Sequence, residues 1–142
     1  MSNNQPVPAP GNHGTADTAN RNGTVFPSAS RAVAAYNSEP MYNPGARGVR
    51  LFVANDNANS GTATAKIQVQ DPESKVWIDL AGATSAAIGN STGTITTVYP
   101  GLTGIADSAG VTINQHLGPV WRVVLTIGTG TCVNSVGADY LV

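Results

Sequence analysis

A chain of 142 residues with seven Lys and Arg, eight Asp and Glu and a net charge of −1 bounds one domain with at most an appendage. Charge this sparse supplies no basic stripe for phosphates, so nucleic acid is not expected as a partner. No apolar run approaches the about 20 residues of a membrane helix.

A single cysteine, Cys132, excludes an intramolecular disulfide, and a core of roughly 110 residues needs no such staple. Charged residues make up 11% of the chain and Gly contributes sixteen positions. Thr, Val, Ser and Asn stand where a helical protein carries Glu, Lys and Arg, which is the vocabulary of short strands joined by turns. The start, MSNNQPVPAP, lacks the basic and apolar regions of a signal peptide, so synthesis in the cytoplasm is expected.

Residues 1–30 hold few large apolar side chains beyond Val7, Val25 and Phe26 and cannot offset their own ordering entropy by burial. A flexible arm is expected there, with an extended reach of roughly 100 Å. It is either a functionless tail or a segment that orders on a partner, with Val25, Phe26 and Pro27 as its apolar anchor.

From residue 31 the pattern turns to strands. "RAVAAYN" alternates weakly, and "ARGVRLFVAN" sets Val49, Leu51 and Val53 opposite Arg50 and Phe52. "ATAKIQVQD" places Ile67 and Val69 inward; after the turn Asp71-Pro72-Glu73-Ser74, "KVWIDL" sets Val76, Ile78 and Leu80 opposite Trp77 and Asp79. These two runs form a hairpin. "AGATSAAIGN" reads as a helical turn or a loop, "GTITTVYPG" as a strand stopped by Pro100, and "VTINQHLG" as a short strand. "VWRVVLTI" puts Trp121, Val123, Leu125 and Ile127 on one face, and "TCVNSVGADYLV" closes the chain.

The expected fold is an all-β antiparallel sandwich of about 7–8 strands, jelly-roll or Ig-like, over 31–142, with an extended N-terminal arm over 1–30.

Several stretches resemble chemistry and do not carry it. The Gly128-Thr-Gly-Thr run lacks the following helix and the Lys of a phosphate loop, so it reads as a hairpin turn. Cys132 has no cation beside it in sequence and reads as a small buried thiol. His13 and His116 lack ligand partners at zinc spacing. The run Asn55 to Gly61 offers one carboxylate and no closing Glu, too little for calcium. Asp71 and Glu73 share a turn. No catalytic residue, metal or cofactor is expected.

The loop "YNSEPMYNPGARG", with Tyr36, Met41, Tyr42 and Arg47, reads either as a contact surface or as a cap on the core. Arg31 joins the arm residues as a candidate contact.

The order "YNS" followed by "MYNPGARGVRLFV", then "AKIQVQDPESKVWIDL", "TVYPG", "WRVVLTIG" and "NSVGADYLV" resembles small head proteins of tailed bacteriophages, grouped with capsid decoration or cement proteins. The resemblance spans 36–142. It implies a non-enzymatic virion protein on the capsid exterior that binds the major capsid protein and itself, as a homo-oligomer with a trimer favoured, and ties neighbouring subunits together. The alternative is a tail- or fibre-associated Ig-like or carbohydrate-binding module using Tyr36, Tyr42 and Trp77 as sugar platforms. That reading needs exposed, coplanar rings, whereas Trp121 is expected to be buried.

Overall fold

The computed structural model describes residues 21–57, 61–89, 92–102 and 110–142. Ten strands form: β1 (Arg21–Arg31), β2 (Ala34–Asn37), β3 (Met41–Tyr42), β4 (Gly48–Asn57), β5 (Ala63–Gln70), β6 (Trp77–Thr84), β7 (Thr92–Val98), β8 (Val111–Ile113), β9 (Val120–Ile127) and β10 (Cys132–Leu141). One sheet runs β1-β10-β4-β7-β8 and the second β2-β9-β5-β6, with β3 also on β9.

The pairings are nested. β1 pairs with β10, β2 with β9, β4 with β7, and β5 with β6, all antiparallel. A long hairpin rolled up in this way is a jelly roll, which decides between the two sandwich topologies that the sequence leaves open.

Alternation along the central strands builds the core. Val49, Leu51 and Val53 on β4 face Ile67, Ala65 and Ala63 on β5 and Trp121, Val123, Leu125 and Ile127 on β9, and all are buried. The inward rows are those expected. Trp121 is fully buried, its indole Nε1 donating to Tyr140 Oη at 3.2 Å with the two rings at 87°.

Four features differ from expectation. Residues 21–31 are not arm but an edge strand, registered on β10 from Arg21 opposite Tyr140 to Arg31 opposite Cys132. Phe26 supplies the reason, because it is 8% exposed and completes the core against Val136. Residues 1–20 of the expected arm lie outside the described residues.

The strand count exceeds 7–8 because β1 joins the sandwich and one stave is split. Pro40 has no N–H to give β9, so the stave breaks into β2 and β3. Ser38 bridges the break, its N–H donating to the Val123 carbonyl and its Oγ accepting from the Val123 N–H, both at 2.9 Å. The short strand expected in "VTINQHLG", β8, lies parallel to β7, so the sandwich is not wholly antiparallel. The connection 99–110 is long enough for such a crossover.

The Asp71 turn is present, with Asp71 Oδ2 accepting from Ser74 Oγ at 2.6 Å and Oδ1 from the Glu73 N–H at 3.1 Å. The hairpin that follows is not buried as expected. Leu80 is, but Val76 and Ile78 are 56% and 52% exposed, because β6 is the edge of its sheet and its start overhangs the core. A bulge then shifts the register between Gln68–Asp79 and Lys66–Thr84. Gly82 takes φ 80° there against Ile113, and Ala83 returns to the core.

Of the stretch expected as a helical turn or a loop, residues 81–84 complete β6 instead, and residues 85–89 take the loop alternative. Asn55, buried inside the sandwich, donates its Nδ2 to the carbonyls of Ile88 and Gly89 at 2.9 and 3.2 Å. Ile88 itself pairs with Ala63.

Candidate functional site

The stretch around Cys132 is a crossover, not the hairpin that the sequence suggests. β9 lies in the second sheet and β10 in the first, so residues 128–131 carry the chain from one layer to the other. A strand follows the glycines, so no helix N-terminus is available to hold a phosphate. Cys132 is buried, and that burial pushes its thiol pKa up. An unionised thiol without solvent access is a poor nucleophile. Gly61 packs so closely that a Cβ on it would lie 2.5 Å from Cys132 Sγ and from the Thr129 carbonyl.

The run resembling a calcium loop also fails on geometry, since Asn55 points into the sandwich; residues 58–60 lie outside the described residues. Among the described residues no group of three His, Cys, Asp or Glu is placed to hold a metal ion. His116 is exposed. His13 lies outside the described residues.

The eight candidate contact residues separate into three groups. Val25 and Phe26 pack on the sandwich's own core, so they do not form a free anchor, and Pro27 stands exposed beside them in the bulged part of β1. Arg31 is engaged within the fold. Its Nη1 donates to the Asn134 carbonyl and to Asn134 Oδ1 at 2.8 and 2.7 Å, its Nη2 donates to the Pro27 carbonyl at 2.8 Å, and its guanidinium lies 5.3 Å from the Phe26 ring centre. Tyr36 and Met41 pack against the core from the inner face of the second sheet, with Tyr36 Oη donating to the Ala32 carbonyl.

Tyr42 and Arg47 are exposed and stand at one end of the sandwich. Asn43 holds the loop between them. Its Nδ2 donates to the carbonyls of Ala46 and Gly118 at 2.8 Å each, and its Oδ1 accepts from the Ala46 N–H at 2.8 Å. An Asx-type turn explains why "YNPG" fixes its neighbours in place.

That end gathers other exposed apolar groups. Tyr42 is 75% exposed, and Val76, Ile78 and Val142 are also open to solvent. The first described strand starts at Arg21 on the same end, since Arg21 pairs with Tyr140 and Leu141 with Gly48.

A second feature lies on the outer face of the second sheet. Tyr42 sits opposite Val120, Val69 opposite Trp121 and Gln70 opposite Trp77. Continuing the register gives one outward row of Tyr42, Val120, Gln70 and Trp77. The next row carries a hydrogen-bonded chain: Arg122 Nε donates to Gln68 Oε1 at 2.8 Å, Gln68 Nε2 donates to Asp79 Oδ1 at 2.8 Å, and Lys66 Nζ meets Asp79 Oδ2 at 3.1 Å.

The Arg122 guanidinium lies over the half-buried Trp77 ring, 4.5 Å from its centre. The hydrogen bonds from Gln68, followed by the contact with Lys66, hold the Asp79 carboxyl below its ordinary 3.8. In the sequence Gln68, Asp79 and Arg122 read as merely outward. Their signal is cross-strand register, which alternation alone does not give. No family model, curated protein or solved structure matches the chain.

Proposed function

We propose that this chain is a structural virion protein that attaches to the outer surface of a phage capsid and ties neighbouring major capsid subunits together, as a homo-oligomer for which the resemblance implies a trimer. One observation carries the reading. Four of the exposed large apolar side chains, Tyr42, Val76, Ile78 and Val142, stand at or beside the end where β1 begins at Arg21. An end that combines apolar groups with a rigid Asn43 loop has the character of a contact surface.

The jelly roll supports the reading as a class, since it serves viral shells as well as lectins. The resemblance supports it in sequence, since its segments fall on both sheets, among them β4, β5, β9 and β10. In this reading the work is binding energy multiplied over several attachment points, and the residues preceding Arg21 reach onto the shell.

Co-sedimentation with shells tests it. The full chain is expected to pellet with expanded capsids and to remain in solution with unexpanded ones. Removing residues 1–20, which spares β1, and replacing Tyr42 and Val76 by Ser should each weaken pelleting. Failure of the full chain to pellet, or affinity unchanged in both variants, overturns the proposal. Sedimentation equilibrium of the free protein tests the trimer.

A further inference from the structure

We propose that one buried water molecule is bound between Asn134 of β10 and Asn55 of β4, accepting from Asn134 Nδ2 and donating to Asn55 Oδ1. Asn55 continues the inward row of Val49, Leu51 and Val53, and Asn134 that of Val136 and Ala138. The two asparagines sit opposite one another in the register, 2% and 0% exposed. Among the described residues neither Asn134 Nδ2 nor Asn55 Oδ1 has a hydrogen-bond partner.

The other half of each amide fixes its orientation. Arg31 offers only donors, and its Nη1 lies 2.7 Å from Asn134 Oδ1, so the Asn134 amide nitrogen turns away from it. The carbonyls of Ile88 and Gly89 only accept, at 2.9 and 3.2 Å from Asn55 Nδ2, so Asn55 turns its Oδ1 the other way. Turning either amide over would set donor against donor or acceptor against acceptor. What remains is complementary: a free donor on one strand and a free acceptor directly opposite on the next. Buried groups of this kind are costly to leave unpaired.

That complementarity selects the occupant. A cation has no place beside the Asn134 N–H and an anion none beside Asn55 Oδ1, whereas water both donates and accepts. Residues directly opposite on antiparallel strands hold their Cβ atoms about 4.5–5.5 Å apart, which brings the two amide ends within reach of a single small molecule. The register beside the pair skips Asp56, which interrupts the ladder at this point, and a groove lined by Ala54, Asn55, Asp56, Thr92 and Gly93 opens next to it. With the water bound, the donors of Arg31, Asn134, water and Asn55 all point the same way, toward the Ile88 carbonyl, and each bond polarises the next. Ile88 is paired with Ala63 of β5, so the chain ties edge strand β1 to the second sheet. It does so at the Arg31 end of the sandwich, away from Tyr140 and its bond to Trp121.

The test uses the free full-length protein, so its outcome is independent of shell attachment. A high-resolution crystal structure is expected to show one ordered water about 2.7–3.2 Å from both Asn134 Nδ2 and Asn55 Oδ1. In solution, water-selective NOESY and ROESY spectra should give dipolar cross-peaks from a long-lived water to the Asn134 side-chain amide. Asn55→Leu keeps the size of the side chain and removes the acceptor, so those cross-peaks should disappear while the backbone amide spectrum stays dispersed. If that variant does not fold, the crystal and the spectra of the unaltered protein decide. Four outcomes overturn the proposal: a direct hydrogen bond between the two amides, a protein atom in the water's place, no water cross-peak in the unaltered protein, or cross-peaks that persist in folded Asn55→Leu.

Discussion

Trp121 and Tyr140 join the two layers of the sandwich: β9 of the second sheet donates an indole N–H to a phenol on β10 of the first, at 3.2 Å, with ring centres 5.9 Å apart. Tyr140→Phe keeps the edge-to-face packing and leaves the indole N–H without its acceptor. A loss of about 1–3 kcal/mol in denaturant-determined stability is expected, with an unchanged m-value. No change would show that solvent replaces the phenol.

Arg31 fastens the bulged end of β1 by donating to the carbonyls of Pro27 and Asn134 and to the Asn134 side chain. Arg31→Ala should cost about 2–3 kcal/mol, with hydrogen exchange accelerated across residues 27–31. Arg31→Lys should not restore protection, because an ammonium cannot reproduce the planar fork. Equal protection in all three proteins would contradict this role.

Thr96 is fully buried on the inner face of β7, and its Oγ1 has no hydrogen-bond partner among the described residues. A hydroxyl in that position carries a desolvation cost without a compensating bond. Thr96→Val, which exchanges it for a methyl group, is therefore expected to stabilise the protein by about 1 kcal/mol, read as a higher denaturant midpoint. A lower midpoint would mean that the hydroxyl is satisfied in solution.

Asp79 links the outer-face network to pH. Its folded pKa lies below 3.8, first because Gln68 donates to it and then because Lys66 does. The carboxylate is thus favoured in the folded chain. Its contribution to stability is complete above the ordinary value and is lost as pH falls through the lower folded value. A carboxyl NMR titration should give a midpoint below 3.8, and Gln68→Ala should raise it; a midpoint indifferent to Gln68 would refute the assignment.

The parts of this fold legible in the sequence are those that a period of two encodes. Val49, Leu51 and Val53, and Trp121, Val123, Leu125 and Ile127, recur at every second position, and both rows are buried as that period requires; Val124, on the other face of β9, is buried as well. Where long-range pairing decides, alternation is silent. β1 reads as a polar arm because its attachment rests on Phe26 meeting Val136 and on Arg31 meeting Asn134, contacts separated by more than a hundred residues. Val76 and Ile78 obey the period yet stay exposed, since the sequence does not say that β6 is an edge. The outer-face row of Tyr42 and Trp77 is likewise hidden, for it exists only once β3, β9, β5 and β6 lie side by side. The glycines before Cys132 announce a turn without announcing which sheet the chain enters.

The nested pairing has a consequence for biosynthesis. β10 lies between β1 and β4, so the first sheet lacks its second strand until β10 has emerged from the ribosome. Until then β4 presents an unpaired edge, and the nascent chain holds most of its apolar rows without the partner that closes them. Closure waits for β10, and the pairing that seals the sheet has among the greatest sequence separations in the molecule, which makes it slow. Translation through this strand, not the appearance of any earlier segment, sets the moment at which the protein becomes a sandwich.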